Sequence, residues 1–334
     1  MHVIVVCHTE YGYVKNKEVI YEEKGVDGVR RGVHNLIAIA DRYGAKITFV
    51  VMPETAEHFP KNVGKHEVGL HIHSGWVEKR YKTFRWYVGD KYLMEHCKVS
   101  VNSAFLQDLN YKDQLTLIET GKDYLCDIFK VDPRVFVAGR WSENNDTVNA
   151  LVNAGFTHDL SACPYQKSSS TSDWSKLPRI CMPYHPSIEN YQEKGDLPLW
   201  IVPVSQFFPF GNVSPEEVPY VGLSSLKACF LEYYKQNLPL FHIYLHSPSM
   251  TDIWFCSIVD ELLSFISKRN VQFIVASQIT DYGKTNPRTD LFPYLARPDG
   301  GFIRILTRLK KMKASLTKET LMTEIPRAYS SRNT

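Results

Sequence analysis

Short apolar runs rich in β-branched residues alternate with stretches of helical periodicity along most of this chain, and that alternation restricts its fold more than any other feature. The runs are HVIVVC (2–7), KITFVV (46–51), HEVGLHIH (66–73), RVFVAG (134–139), FTHDLS (156–161), LWIVPV (199–204), LFHIYLH (240–246) and VQFIVAS (271–277). Between them, residues 27–43, 100–130, 223–236 and 252–269 repeat apolar residues at helical spacing, as does NDTVNALVNAG. Gly44 is a natural helix stop, Met52-Pro53 closes the second run, and Asn144 or Asn145 is placed to cap the helix that follows. Strands with apolar cores, separated by helices, read as a parallel sheet with helices outside. Seven or eight such units make an α/β protein built as a (β/α)7-8 barrel, distorted or incomplete, with an open doubly wound sheet as the second choice. No G-x-G-x-x-G follows the first strand and no Walker-type loop occurs, which weakens a nucleotide-binding reading.

The 334 residues and an apolar fraction of 44% suffice for one large core. Residues 160–198, with SSSTSDWSK and several prolines, form a long irregular insertion of the kind that serves as a lid or binding loop. Seven scattered cysteines without a C-x-x-C pair read as reduced thiols. The N-terminus, MHVIVVCHTE, reads as a strand and not as a signal peptide, and no run reaches the ~20 apolar residues that span a bilayer. The expectation is a cytoplasmic protein. Residues 1–280 would form the barrel domain and 281–334 a basic C-terminal extension. Residues 304–334 carry eight Lys or Arg against two Glu, which leaves the rest of the chain slightly acidic although the whole is +3. Within FIRILTRLKKMKASL (302–316) the apolar residues gather on one helical face. That segment is expected either to make peripheral contact with the inner face of the cell membrane or to pack on the barrel. Nucleic-acid binding is not expected, since basic charge alone is a weak signal.

In a parallel barrel the functional groups stand at the C-terminal ends of the strands. The first strand ends in CHTEYG and brings His8 and Glu10 there, and the third ends in GLHIHSGW, with His71 and His73. Alternate strand residues share a face and lie roughly 6.6 Å apart along the axis. Two neutral imidazoles so placed, with Glu10 opposite, make a mixed nitrogen and oxygen set suited to one divalent metal, most naturally zinc, with a position left for water. His8 is a candidate base or a further ligand, and His246 a candidate acid for a leaving amine. Arg140 is a catalytic candidate, against the structural alternative of bridging a carbonyl or carboxylate. His158 is the weakest of the strand-end histidines, which are more often hydrogen-bonded than chemical. Trp141 and Trp174 offer flat faces for a sugar ring, against the ordinary alternative of filling core.

From about residue 2 to 280 the chain resembles the polysaccharide deacetylases of the metal-dependent carbohydrate-esterase superfamily, in particular the branch associated with bacterial surface and O-antigen polysaccharide. HTEYG resembles the first motif of that family, RYGAKITFVVMPE the segment after its first helix, and HEVGLHIHSGW its metal-binding histidine motif. FVAGRWSENNDTVNALVNAGFTHDLS is similar to the third motif and its helix, LWIVPVS to the fourth, and IYLHSPSM to the last. The resemblance implies a distorted barrel of the polysaccharide-deacetylase type, one divalent metal, and removal of an N-acetyl group from a sugar or oligosaccharide, free or lipid-linked. It places His71 on the first metal histidine, His246 on the acid histidine and Glu10 on the carboxylate ligand. It also marks three departures. His8 stands where a catalytic aspartate is usual, Gly75 where the second metal histidine would be (with His73 as the substitute), and Val137 where an arginine orients the catalytic carboxylate. An arginine beside a histidine base would repel the imidazolium that base becomes, so the two losses are chemically coherent. Equally, they fit a catalytically inactive barrel that binds carbohydrate or a biosynthetic partner.

Overall fold

The structure is a computed structural model that describes residues 1–287 except 23, 74–78, 81–84, 87–90, 98, 100–104, 165–166, 169–171, 208–210, 284 and 286. Eight strands form the main sheet: β1 (His2–Thr9), β2 (Ile47–Val51), β3 (Glu67–Ile72), β4 (Val135–Ala138), β5 (His158–Asp159), β6 (Trp200–Ile201), β7 (Leu240–His246) and β8 (Gln272–Phe273). Their order is β6-β5-β4-β3-β2-β1-β7, with β8 also on β1, and all these pairings are parallel. Five longer helices alternate with them: α1 (Asp27–Arg42), α2 (Tyr111–Phe129), α3 (Asn145–Asn153), α4 (Leu223–Lys235) and α5 (Ile253–Ser267). The sheet curls into the distorted barrel expected from the alternation.

Strand parity sorts the side chains into two cores. Along β1, Val3, Val5 and Cys7 face the helices, while Ile4 and Val6 belong to the smaller cluster inside the curl. Phe241, Ile243 and Leu245 of β7 face outwards and Leu240 inwards; on β4, Phe136 and Ala138 face outwards and Val135 and Val137 inwards. Because the side-chain period is two, His8, Glu10, His71, Tyr244 and His246 all inherit the inner face. His8 and His246 are register partners on neighbouring strands. The inner face is therefore apolar towards the strand starts and histidine-rich at the exits.

No strand ladder joins β6 to β7 among the described residues. The irregular chain after β6 spans the gap instead: the Ser205 N–H donates to the His242 carbonyl (3.2 Å), and the Tyr244 N–H to that of Val213 (3.2 Å). At the other end, Ile274, Ala276 and Ile279 plug the interior. His158 donates from Nε2 to the Ile279 carbonyl (3.1 Å), a structural task.

The elements are shorter than the sequence pattern suggests in two places. LWIVPV contributes only Trp200 and Ile201 to the sheet, since Pro203 cannot donate to a ladder. The helix expected over 100–130 starts at Tyr111, where Asn110 accepts the Asp113 N–H as its cap (3.0 Å). The segment 302–316 and Gly75 lie outside the described residues. No helix among the described residues is long and apolar enough to cross a membrane.

Candidate metal centre

Glu10 sits two residues beyond His8, just past the end of β1. Its backbone is held there by the buried Ser247 hydroxyl, which accepts the Glu10 N–H (3.2 Å) and lies 3.3 Å from the Glu10 carbonyl. Helix α1 packs so closely on this exit that a Cβ at Gly32 would lie 2.0 Å from the Ser247 carbonyl oxygen. Glu10, which is 7% exposed, receives two imidazoles on a single side-chain oxygen. His71 Nε2 is 3.1 Å and His73 Nε2 3.3 Å from Glu10 Oε1. His71 Nδ1 faces the Val137 carbonyl at 2.9 Å. A carbonyl only accepts, so Nδ1 carries a proton. Nε2 then meets the carboxylate either through a second proton or as a lone pair with a cation between the two.

The charges point the same way. Burial alone would raise the Glu10 pKa, but the contacts with His73 and His71 hold it well below the usual carboxylate range. His8 is held well below the ordinary imidazole value by burial and by the neighbouring His71 and His246. His73 is lowered as well, by burial against the pull of Glu10. Burial also opposes charge on His246, yet the adjacent Glu216 carboxylate outweighs it and raises that imidazole to about 9. Glu216 pairs with His246 (2.8 Å), which leaves Glu10 as the buried carboxylate that His71 and His73 face. Such a pocket suits a cation.

His8, Glu10 and His71 can each bring one ligand atom to within 4.8 Å of the others, and all three are buried. The structure thus brings together the five histidine and carboxylate groups named from the sequence, His8, Glu10, His71, His73 and His246, and adds a sixth. The His8 ring lies 4.8 Å from that of His71 and 4.9 Å from that of His246. His246 Nε2 is 3.8 Å from Glu10 Oε1.

Glu216 is the sixth group, and it has no signature in the sequence. It lies on a short 3₁₀ turn, and its carboxylate accepts both the His246 backbone N–H (2.8 Å) and the Nδ1–H (2.8 Å). Tyr21 and Tyr244 flank the same imidazole, with rings 5.5 and 5.8 Å from it. Their phenols are kept neutral, Tyr21 by burial with Glu216 and Glu10 nearby, and Tyr244 by burial with Glu216.

The other expected residues meet different fates. Arg140 and Trp141 both adopt left-handed backbone, φ 58° and 59°, in the turn after β4. This turn seats His73: a Cβ at Gly139 would lie 2.5 Å from His73 Nδ1. The Trp141 ring is half-buried, 5.3 Å from His8 and 5.0 Å from Tyr244, at the rim of the centre. The Arg140 guanidinium stands over the Phe105 ring at 5.5 Å, and its charge reaches His73. Trp174 corrects the expectation of a sugar platform. It is fully buried and spends its indole N–H on the Trp141 carbonyl (3.1 Å), so it props the turn from behind. A cleft of about 600 Å³, lined by Lys61, Glu67, Phe129 and Arg134 among others, opens at the strand starts, away from these groups.

No family profile and no curated protein matches this sequence. Solved structures do match in fold. A protein from Pseudomonas aeruginosa PAO1 named as a polysaccharide deacetylase superposes with a TM-score of 0.54 at 13% identity, over 83% of this chain and 88% of that one. Puue allantoinase gives 0.53 at 14% identity, over 89% and 91%. A protein from Mycobacterium smegmatis named as a polysaccharide deacetylase gives 0.51 at 17% identity, over 85% and 94%. At these identities the likeness is one of fold.

Proposed function

We propose that this protein is a metal-dependent hydrolase that removes an N-acyl group, acetyl first of all, from a sugar. The observation that carries this reading is the approach of two imidazole nitrogens to one oxygen of a buried carboxylate, at the rim of a barrel that deacetylases share. One divalent ion, zinc by the chemistry of the donors, would be held by Glu10, His71 and His73. A divalent ion in such a set polarises a carbonyl and acidifies water. The chain's own groups divide the remaining work. His246, kept protonated by Glu216, presents Nε2 to the same space and is the acid for a leaving amine. Trp141 offers its half-exposed ring as a wall for the sugar. His8 and Arg140 stand beside the ligands, and Arg140 is suited to stabilising a developing oxyanion.

The proposed substrate is an amino sugar of bacterial surface polysaccharide, in free or lipid-linked form. The corresponding place of action is the cytoplasm, at the inner face of the membrane. A second reading, a barrel that binds without turnover, is favoured by Val137, which is buried inside the barrel where the resembled family has its arginine.

Elemental analysis of the purified protein, paired with an acetate-release assay on N-acetylated sugars, separates the readings. The expected result is about one equivalent of metal with turnover, both lost in a His71→Ala/His73→Ala variant. Metal without turnover would favour the binding barrel. No metal, even after incubation with excess ion, would overturn the proposal.

A further inference from the structure

We propose that His8 is itself a ligand of the ion, so that the centre consists of three imidazoles and one carboxylate and position 8 supplies no base. The inference rests on reading the site as a metal centre, and it changes what that centre is made of. Sequence reasoning leaves His8 open between base and ligand. Three observations choose between them.

The first is convergence. Among the described residues, the group of three that can place one donor atom each within 4.8 Å of the others is His8, Glu10 and His71. His8 is thus at least as well placed as His73, which meets Glu10 Oε1 from its own side. The second is an unused donor. His8 is 4% exposed, and its Nε2 has no hydrogen-bond partner among the described residues. Buried imidazole nitrogens are nearly always satisfied, and coordination is the bond on offer here. The third is the wall around it. The His8 ring stands between those of His71 and His246, with Trp141 edge-on at 5.3 Å and Tyr244 at 5.6 Å. A ring packed in this way is held in one orientation, as a ligand must be.

The consequence is a change in metal preference. Three imidazoles and one carboxylate favour zinc, cobalt or nickel over magnesium, calcium or manganese, which prefer oxygen-rich sets. With four protein donors the ion would also be held more tightly than by Glu10, His71 and His73 alone. His246 would then be the only imidazole at the centre free to exchange a proton with substrate.

The test uses the full chain stripped of metal and measures zinc affinity by competition with a chromophoric chelator. The same proteins loaded with Co²⁺ report the ligand field through their visible spectrum. His8→Ala and His8→Gln are compared with wild type, and circular dichroism checks that each is folded. If one variant fails to fold, the other serves. Loss of a partner outside the coordination sphere costs roughly 10–100-fold in affinity. Loss of His8 as a ligand is expected to cost more than about 100-fold and to shift the Co²⁺ bands. A Co²⁺ spectrum unchanged by either variant would overturn the inference while leaving the metal centre standing. Failure of the wild-type protein to bind zinc or cobalt would overturn both.

Discussion

Glu216 grips His246 at two points, accepting from its backbone N–H and its Nδ1–H, each at 2.8 Å. One contact fixes where the strand exit lies, and the other fixes which way the ring faces and which nitrogen carries its proton. The remaining nitrogen, Nε2, then looks towards Glu10 and has no choice of role. Glu216→Gln keeps the shape but removes the charge that holds the imidazole protonated. Turnover of an N-acetyl sugar is expected to fall roughly 10²-fold, the usual worth of a positioned acid. Zinc affinity should stay within about threefold of wild type, because Glu216 contacts no ligand. A parallel loss of zinc would show instead that Glu216 supports the ligand shell, and would remove it from proton transfer.

At the scale of elements, the turn between β4 and α3 carries Gly139, Arg140 and Trp141, so its geometry decides where His73 and the cleft wall stand. Two non-glycine residues there hold positive φ, a strained conformation that persists only if both ends are fixed. One end is β4. The other is the start of α3, where Asn144 accepts the Thr147 N–H (3.0 Å), Thr147 Oγ1 accepts the Asn144 N–H (3.1 Å), and Asn144 Nδ2 donates to the Gln107 carbonyl (2.9 Å). Asn144→Ala is therefore expected to cost about 1–2 kcal/mol in urea unfolding, as lost helix caps do. An unchanged midpoint would mean that the turn is held from elsewhere, with Trp174 the first suspect. The contrast with Glu216 shows what a sequence exposes. His8, Glu10, His71 and His246 are legible because strand parity and the rule of strand exits are local and periodic, and the Asn144 cap is legible because its partner is three residues away. Glu216 belongs to no periodic element and meets His246 only through the chain that closes the barrel between β6 and β7. Trp174 misleads for a related reason: an aromatic in an irregular insertion has no periodicity to say which way it faces.

For the whole molecule, the telling feature is a second pair of acids that takes no part in the centre. Glu143, 1% exposed, and Asp159, fully buried, lie close enough to feel each other's charge, between the turn after β4 and the end of β5. Asp159 Oδ1 also accepts the Ser161 N–H (3.0 Å) and hydroxyl (2.5 Å). Burial raises both carboxyls, and at Glu143 the neighbouring Asp159 raises it further; Asp159 is pushed from 3.8 up to about 6. Two buried carboxylates this close cannot both ionise cheaply, so the pair is a fold contact that needs a proton. The sign follows from proton counting. Between pH 3.8 and about 6 the folded chain binds more protons at Asp159 than the unfolded chain does, so this contribution to stability is complete below the window and is lost as pH rises through it. Asp159→Asn keeps an oxygen for both Ser161 contacts and gives Glu143 an N–H donor in place of a shared proton. Denaturant unfolding at pH 4 and pH 7 should therefore show a drop in stability with pH that is smaller in Asp159→Asn than in wild type, by about 1–3 kcal/mol. Equal slopes in the two proteins would mean that the pair ionises freely in the fold. In that case the barrel would have to hold the turn behind His73 against a buried negative charge at working pH, and the seat of His73 would be strained and not merely supported.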